Sequence, residues 1–326
     1  MTTEEILRVR MFNLWLTRRC PDVVLLAREM LGLHSWFYRN VRYSAIIRGA
    51  DISRWKTRLT KTWLYRGTLH GVDPDDLPLL LALHQGETWF ERQYGRAFAD
   101  NATEEVVRCL EDGIYSRQEM RQIFSDTYDR RMIDDLFSPW GGIFVGLARR
   151  GIVAFRDMTS RDFDLIAVDD IPSFDDAFPE ALRRYFAAYG PSTTADAAWF
   201  MGLSADHFKA ADLSAFNSFE LDGKRFYYTD EPEKLPDIPK VQILAGFDPL
   251  IVSYSDRGAV LPDEYKRAVI LTSGICMPTV AVDGRIAGLW SIKKRDPVVE
   301  FFTSQPKRIR DKAAEQVERI IRAPEN

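Results

Sequence analysis

The sequence has few of the residues that build metal centres or covalent cross-links. Its 326 residues include three cysteines and four histidines. Cys20, Cys109 and Cys276 lie far apart, and no CxxC pair occurs. A disulfide framework or a cysteine-based metal site needs closer or regular spacing. We therefore expect three partly buried free thiols.

Long apolar runs are also absent. No stretch approaches the ~20 apolar residues that a membrane-spanning helix needs. The opening MTTEEILRVRMF carries acidic residues where a signal peptide would be basic. We therefore expect a cytoplasmic protein. Walker loops, GxGxxG turns and HExxH pairs do not occur either.

Positive charge is concentrated at the N-terminal end. Residues 1–70 contain thirteen Lys/Arg and five Asp/Glu, a net charge of +8. Because the whole chain carries −4, the remaining 256 residues carry −12. Such asymmetry directs positive potential to one part of the molecule and indicates an anionic partner there.

Within this basic end, residues 37–66 hold eight cations against Asp51 alone, with tryptophan and tyrosine residues between them. A solvated helix face is the alternative interpretation. Arginine pairs with phosphate as a planar fork, and aromatic rings stack on bases, so the mixture favours nucleic acid. The candidate DNA-binding cations are Arg39, Arg42, Arg54, Arg58, Lys61 and Arg66.

Two later segments repeat one pattern. GIYSRQE at 113–119 and GPSTTAD at 190–196 place a glycine, a hydroxyl residue and an acid at the same offsets. The glycine is typical of a helix end, and the hydroxyl with the acid is typical of the next helix start. Each is followed by a short apolar helix pattern, as in a helix-turn-helix.

A hairpin follows the second of these segments. FNSFELDGKRFYYTD alternates around Asp222-Gly223, a strong two-residue turn signal. Helix, turn, helix and hairpin together predict a winged helix. RGIVAF predicts a comparable wing after the first segment. At the N-terminus, two helix patterns, the turn GLHSW, a third helix and the hairpin TKTWLYRGTLHGV fit the template less cleanly.

From about residue 240 short strand patterns predominate, with a second turn at Asp283-Gly284 and a terminal helix in KRIRDKAAEQVERIIRA. We therefore predict a mainly α (α+β) fold of three tandem winged-helix units and a small C-terminal antiparallel β domain. The predicted domains are 1–100 (basic, with the candidate active site), 101–178, 179–238 and 239–326.

Four stretches resemble one family, the AlkZ-type DNA glycosylases, also called the YcaQ family. They are RGTLHGVDPDDLPLLLAL, YGPSTTADAAWFMGLS, FDPLIVSYSDRGAVLP and PTVAVDGRIAGLW, in the family's order. The resemblance implies tandem winged helices that form a curved basic channel around duplex DNA. It also implies hydrolysis of the N-glycosidic bond of bulky N-alkylated purines, including those in interstrand crosslinks, without metal or cofactor. We expect a monomer whose partner is double-stranded DNA.

By the same resemblance, the catalytic signature falls on His34-Ser35-Trp36. The family has Gln, a small or apolar residue, and Gln or Asp there. His34 is a variant that some relatives share, whereas Trp36 departs from the pattern because its ring nitrogen only donates. An imidazole can place a water and accept its proton, and Trp36 can stack on a base or wedge into a groove.

Other interpretations of this signature remain open. His34 can be a cap or a packing residue, and Trp36 can fill the core. The protein would then be a non-catalytic DNA-binding protein, a damage sensor or transcription regulator that lost the water site.

Two further groups of candidates come from the resemblance. Arg66, Thr68 and His70 match a hairpin near DNA, and strand periodicity predicts all three on one face. Asp248, Asp256 and Arg257 match a C-terminal motif, for which we predict turn closure and a local Asp–Arg ion pair. One of this second group can also orient residues of the first domain.

Overall fold

The computed structural model describes residues 1–324. The chain divides into two compact units: residues 1–55 together with residues from 182 onward, and residues 56–181. None of the helices in the described part is long and apolar enough to cross a membrane.

The first unit begins with helices around the predicted signature. Its elements up to residue 55 are α1 (Thr3–Asn13), α2 (Val23–Glu29), β1 (Leu33–His34) and α3 (Tyr38–Ile47). Helix α4 (Trp55–Arg58) starts at the boundary of this unit. A capping box begins α1, since Thr2 Oγ1 accepts from Glu5 N at 3.2 Å and Thr2 N donates to Glu5 Oε2 at 2.7 Å. Both groups would otherwise be unsatisfied at the helix start.

The second unit is built of short helices and two hairpins. Its elements are β2 (Thr60–Trp63), β3 (Leu69–Val72), α5 (Leu77–Ala82), α6 (Trp89–Tyr94), α7 (Arg96–Glu111), α8 (Arg117–Phe124), α9 (Arg130–Leu136), α10 (Ile143–Arg149), β4 (Val153–Phe155) and β5 (Phe163–Leu165). Strands β2–β3 and β4–β5 pair antiparallel, as the sequence predicts. Trp63 lies against Phe155 and Phe163, with ring centroids 4.9 and 6.0 Å away, so aromatic packing joins the hairpins.

Helix α11 (Phe174–Tyr189) continues into the remainder of the first unit. After it come α12 (Thr194–Met201), α13 (Ala205–Ala210), β6 (Asn217–Leu221) and β7 (Lys224–Tyr228). Thr193 and Asp196 form the predicted capping box, and β6 and β7 pair across the predicted Asp222-Gly223 turn. Ser192, which precedes α12, forms an antiparallel bridge with Tyr227 of β7.

The chain ends in the predicted antiparallel sheet. Its elements are β8 (Val241–Leu244), α14 (Pro249–Val252), α15 (Lys266–Val269), β9 (Thr279–Val282), β10 (Arg285–Lys293), β11 (Asp296–Phe301) and α16 (Lys307–Arg322). The four strands lie in the order β11-β10-β9-β8, all antiparallel. Apolar residues of the sheet, among them Ile243 and Trp290, form one core with Ile309 and Val317 of α16. The small C-terminal antiparallel sheet closed by a terminal helix is therefore confirmed.

The three cysteines are free thiols, as the sequence predicts. Cys20, Cys109 and Cys276 are all unbonded and buried. Burial raises the pKa of the Cys20 thiol to about 11 and that of Cys276 to about 12. Thiolates are therefore disfavoured at neutral pH, which argues against nucleophilic roles.

Candidate active site around His34

His34 lies in a two-residue strand rather than in the turn that the sequence predicts. Leu31 and Gly32, both at positive φ (54° and 108°), reverse the chain after α2, and Leu33–His34 are extended as β1. Ser35 is completely buried, whereas His34 and Trp36 are half-buried. The imidazole is therefore partly shielded from solvent, and its Nδ1 is buried.

An aromatic ring from the C-terminal half of the chain covers one face of His34. Phe247 stacks on the imidazole with ring centroids 3.9 Å apart and planes 5° apart. The ring centroid of Phe37 lies 6.3 Å from that of Phe247. Phe247 follows β8 and has φ 57°, a left-handed conformation that is unfavourable for a bulky residue. The surrounding structure therefore holds this ring in place against local preference.

A buried ion pair anchors the loop that carries Phe247. The Arg48 guanidinium and the Asp248 carboxylate form two hydrogen bonds of 3.0 Å, and both side chains are fully shielded from solvent. Arg48 Nε also donates to Leu14 O at 2.7 Å, and its Nη1 donates to Ser44 Oγ at 2.9 Å. This bidentate geometry ties the end of α3 to the residue after Phe247. Arg48 is one of the eight cations of residues 37–66, and its burial excludes it from a DNA-binding surface.

Asp248 has a second contact that matches the predicted turn closure. Its Oδ1 accepts from Leu250 N at 3.1 Å and so caps α14. The predicted ion pair between Asp256 and Arg257 is wrong. Asp256 instead accepts from Lys224 Nζ at 2.7 Å, and Arg257 Nε donates to Ile251 O at 2.9 Å. The two residues lie in the loop after α14, where each side chain has a different partner.

The predicted DNA-binding cations separate by environment. Arg39 and Arg54 in the first unit, and Arg58 and Arg66 in the second, are exposed. Arg42 is half-buried, and its Nη2 donates to Ala323 O at 2.6 Å and Pro324 O at 3.1 Å beyond α16. This contact makes Arg42 a link between α3 and the C-terminal end.

Lys61 does not fit a phosphate contact. It is 7% exposed, donates to Ser160 O at 3.0 Å and lies 4.3 Å from the centre of the Phe155 ring. Burial lowers the pKa of its ammonium group to about 8. Strand β2 is buried on both faces from Lys61 to Trp63, which a count of charges does not reveal.

The predicted common face of Arg66, Thr68 and His70 is also wrong. Arg66 lies in a 3₁₀ turn, Tyr65–Gly67, with φ 53°, and β3 begins only at Leu69. Thr68 Oγ1 donates to Tyr65 O at 3.0 Å, which closes the turn. His70 is 5% exposed and stands edge-on to Tyr65, 5.1 Å between ring centroids. The strand periodicity was applied to a turn, so only Arg66 of the three is exposed.

A family model described as DNA glycosylase AlkZ-like matches residues 53–323. The chain belongs to the AlkZ-like DNA glycosylase family. This confirms the resemblance stated from the sequence, and with it glycosylase activity on DNA. His34, Arg48 and Phe37 lie before the matched segment, whereas Phe247 and Asp248 lie within it.

Two findings compare this AlkZ-like glycosylase with individual proteins. An interstrand DNA cross-link repair glycosylase from Streptomyces sahachiroi is 28% identical over 280 residues, which are 78% of this chain and 74% of that protein. The solved structure of the Streptomyces sahachiroi DNA glycosylase AlkZ matches with a TM-score of 0.81 at 25% identity, over 98% of this chain and 97% of that one. The similarity therefore extends to nearly the whole fold.

Sequence reasoning missed Phe247 and the partnership of Arg48 with Asp248. About 200 residues separate the members of each pair. Local patterns carry no signal for such contacts. The motif FDPL, which begins with Phe247 and Asp248, was the one available indication, because Asp248 was predicted as a possible orienting residue.

Proposed function

We propose that this glycosylase hydrolyses the N-glycosidic bond of N-alkylated purines in duplex DNA, with His34 positioning the attacking water. The observation that carries the proposal is the stacked pair of His34 and Phe247 beside the buried Arg48–Asp248 ion pair. The stack covers one face of the imidazole and restricts its rotation, and the residue as a whole stays half-buried. Such fixation is what a group that orients water requires.

The reaction requires few catalytic groups from the protein. An N7- or N3-alkylated purine is cationic, so it leaves with the electrons of the glycosidic bond without a general acid. Water adds to the anomeric carbon as that bond breaks, and its proton passes to the imidazole. The products are the free base and an abasic site. General-base assistance of this kind contributes roughly 10²–10⁴-fold.

Trp36 is proposed as a contact to DNA rather than as a second water ligand. Its indole nitrogen donates but does not accept a hydrogen bond. The side chain is half-buried next to the exposed Phe37, which is 45% exposed. Aromatic residues at such positions stack on bases or insert between base steps.

We further propose that Arg39, Arg54, Arg58 and Arg66 contact phosphates and that three winged-helix units present them to DNA. The order α11, bridge at Ser192, α12, α13, β6 and β7 supports the third unit, because a winged helix pairs its first short strand with the wing. The domains 1–100, 101–178, 179–238 and 239–326 remain the predicted boundaries. Similarity to a cross-link repair glycosylase supports crosslinked duplex as a substrate.

The decisive experiment compares wild type with His34→Ala on duplex DNA containing N7-methylguanine. Alkali converts abasic sites into strand breaks, which are counted under single-turnover conditions. We expect His34→Ala to slow excision by about 10²-fold or more with unchanged DNA affinity. Unchanged excision would remove the catalytic role from His34.

Phe247→Leu serves as a companion variant. It preserves apolar volume but removes the ring that stacks on His34, so excision should slow while binding persists. DNA binding by wild type without any strand breaks would favour the non-catalytic DNA-binding alternative.

A further inference from the structure

A cavity of about 640 Å³ lies in the first unit, and neither His34 nor Phe247 lines it. Its walls come from α1, the start of α12, the β6–β7 hairpin and the segment 255–259. All of these elements belong to the same compact unit. No role in the proposed excision uses this cavity.

Arg10 of α1 lines the cavity with unused hydrogen-bonding capacity. The residue is only 6% exposed. Its Nε donates to Pro191 O at 2.9 Å, and its guanidinium carbon lies 3.9 Å from the centre of the Tyr254 ring. Within residues 1–324, no acceptor meets its Nη1 or Nη2. A buried guanidinium whose two NH₂ groups, with four N–H donors, lack acceptors favours an anionic ligand.

The start of α12 supplies further donors to the same cavity. Thr193 caps the helix by accepting from Asp196 N, so that amide is satisfied. In the described chain, the amides of Thr194 and Ala195 have no protein acceptor, and both residues line the cavity. Pro191, which accepts from Arg10, precedes this helix by three residues and links the two sets of donors.

Two of the three carboxylates in the cavity wall, Asp196 and Asp256, already accept from protein donors. Asp196 accepts from Thr193 N and Oγ1 on one oxygen and from Ser255 N and Oγ on the other. Asp256 accepts from Lys224 and from Gly258 N. Asp222 is exposed at the hairpin turn. Among the charged groups of this wall, the buried one with unmet hydrogen bonds is therefore the Arg10 guanidinium.

We propose that this cavity binds a phosphate group, held by the Arg10 fork and the first amides of α12. A phosphate offers acceptors to both, and helix starts bind phosphate through free amides. The group can belong to the DNA backbone or to a free phosphomonoester. Both sources have the same chemistry at the site, and the test separates them.

Two variants at Thr194 isolate the backbone contribution. Thr194→Pro removes one amide donor, while Thr194→Ala keeps it and loses the same side chain. Proline is well tolerated at the first helical position, and Thr193, at φ −90° and ψ 164°, has the extended conformation that precedes proline. Arg10→Gln removes the charge of the guanidinium. Thermal unfolding of each variant checks that the fold is kept.

Inorganic phosphate and dAMP are titrated into the full chain by calorimetry, and affinity for undamaged duplex is measured over a range of KCl concentrations. If the site takes a free phosphate compound, we expect wild type and Thr194→Ala to bind phosphate or dAMP with equal affinity. Arg10→Gln and Thr194→Pro should then bind it roughly tenfold or more weakly.

If the site takes a phosphate of the DNA backbone, neither small ligand should bind. Arg10→Gln and Thr194→Pro should then reduce the slope of log K against log salt for duplex binding by about one. Thr194→Pro and Thr194→Ala behaving identically in every assay would overturn the proposal. If Arg10→Gln unfolds, the Thr194 pair alone decides. Excision is not part of the readout, so the result is independent of the role of His34.

Discussion

At the scale of single residues, the site depends on a conformation that the local sequence disfavours. Phe247 adopts φ 57°, and its neighbours explain why it stays there. A Cβ on Gly246 would lie 3.0 Å from the Asn40 side chain and 3.1 Å from Cys276 O, so the backbone is closely packed before Phe247. The Arg48–Asp248 pair fixes the backbone after it. The ring is thereby held against His34.

The ion pair leads to a stability prediction. Asp248→Asn keeps the shape but leaves the buried Arg48 charge without its partner, so we expect a loss of about 3–5 kcal/mol in the free energy of unfolding. Urea unfolding monitored by circular dichroism measures it. The matched control is Asp256→Asn, whose partner Lys224 is exposed, with an expected loss below about 1 kcal/mol. Equal losses in the two variants would contradict the anchoring role.

Lys61 gives a prediction for pH. Burial lowers its pKa to about 8 in the folded protein, whereas an unfolded lysine titrates near about 10.4. Between these values the unfolded chain binds the extra proton, so the contribution of Lys61 makes folding more stable as pH rises from 8 towards 10.4. Comparing the pH dependence of unfolding in wild type and Lys61→Met isolates this term. Parallel curves would show that Lys61 titrates normally.

At the scale of elements, short-range chemistry set most helix starts and tight turns. Ser116 and Thr193 cap the helices that the sequence assigned to them, and Thr2 and Ser204 cap α1 and α13 in the same way. The turns Asp222-Gly223 and Asp283-Gly284 join paired strands as predicted. These features depend on residues a few positions apart, so the chain alone specifies them. The 3₁₀ turn at Tyr65–Gly67 was missed because no glycine or asparagine marks Arg66, which takes the first left-handed position.

Gly288 gives a prediction about how closely β10 packs against β11. A Cβ there would lie 2.5 Å from Glu300 O and 2.9 Å from Phe301 Cα on the paired strand, at an irregularity in the register of β10. Gly288→Ala must push the strands apart, with an expected loss of about 2–3 kcal/mol in the free energy of unfolding.

Gly223→Ala is the control for this prediction. Gly223 has φ 73° and no heavy atom within 4 Å of an added Cβ, so only backbone strain of about 1 kcal/mol is expected. Chemical denaturation of both variants compares them. A larger effect at Gly223 would argue against tight packing of the two strands.

At the scale of the whole molecule, the charge asymmetry predicts how DNA binding responds to salt. Replacing Arg54, Arg58 and Arg66 together by Ala should weaken binding broadly and reduce the slope of log K against log salt by about one unit per lost phosphate contact. Fluorescence anisotropy at several KCl concentrations measures the slope. The control replaces Lys307, Arg308 and Arg310, exposed cations at the start of α16. A slope that changes only in the control would show that DNA contacts the start of α16 rather than the basic segment.

The sequence by itself determined the capped helices, the Asp-Gly hairpins, the terminal sheet and the family, because these depend on neighbours in the chain or on motifs in fixed order. Only the tertiary structure decided that Arg48 is a buried anchor, that Lys61 and His70 face inward and that Phe247 covers His34. Burial and pairing over some 200 residues follow from packing among distant segments, which charge counts and short periodicities do not contain.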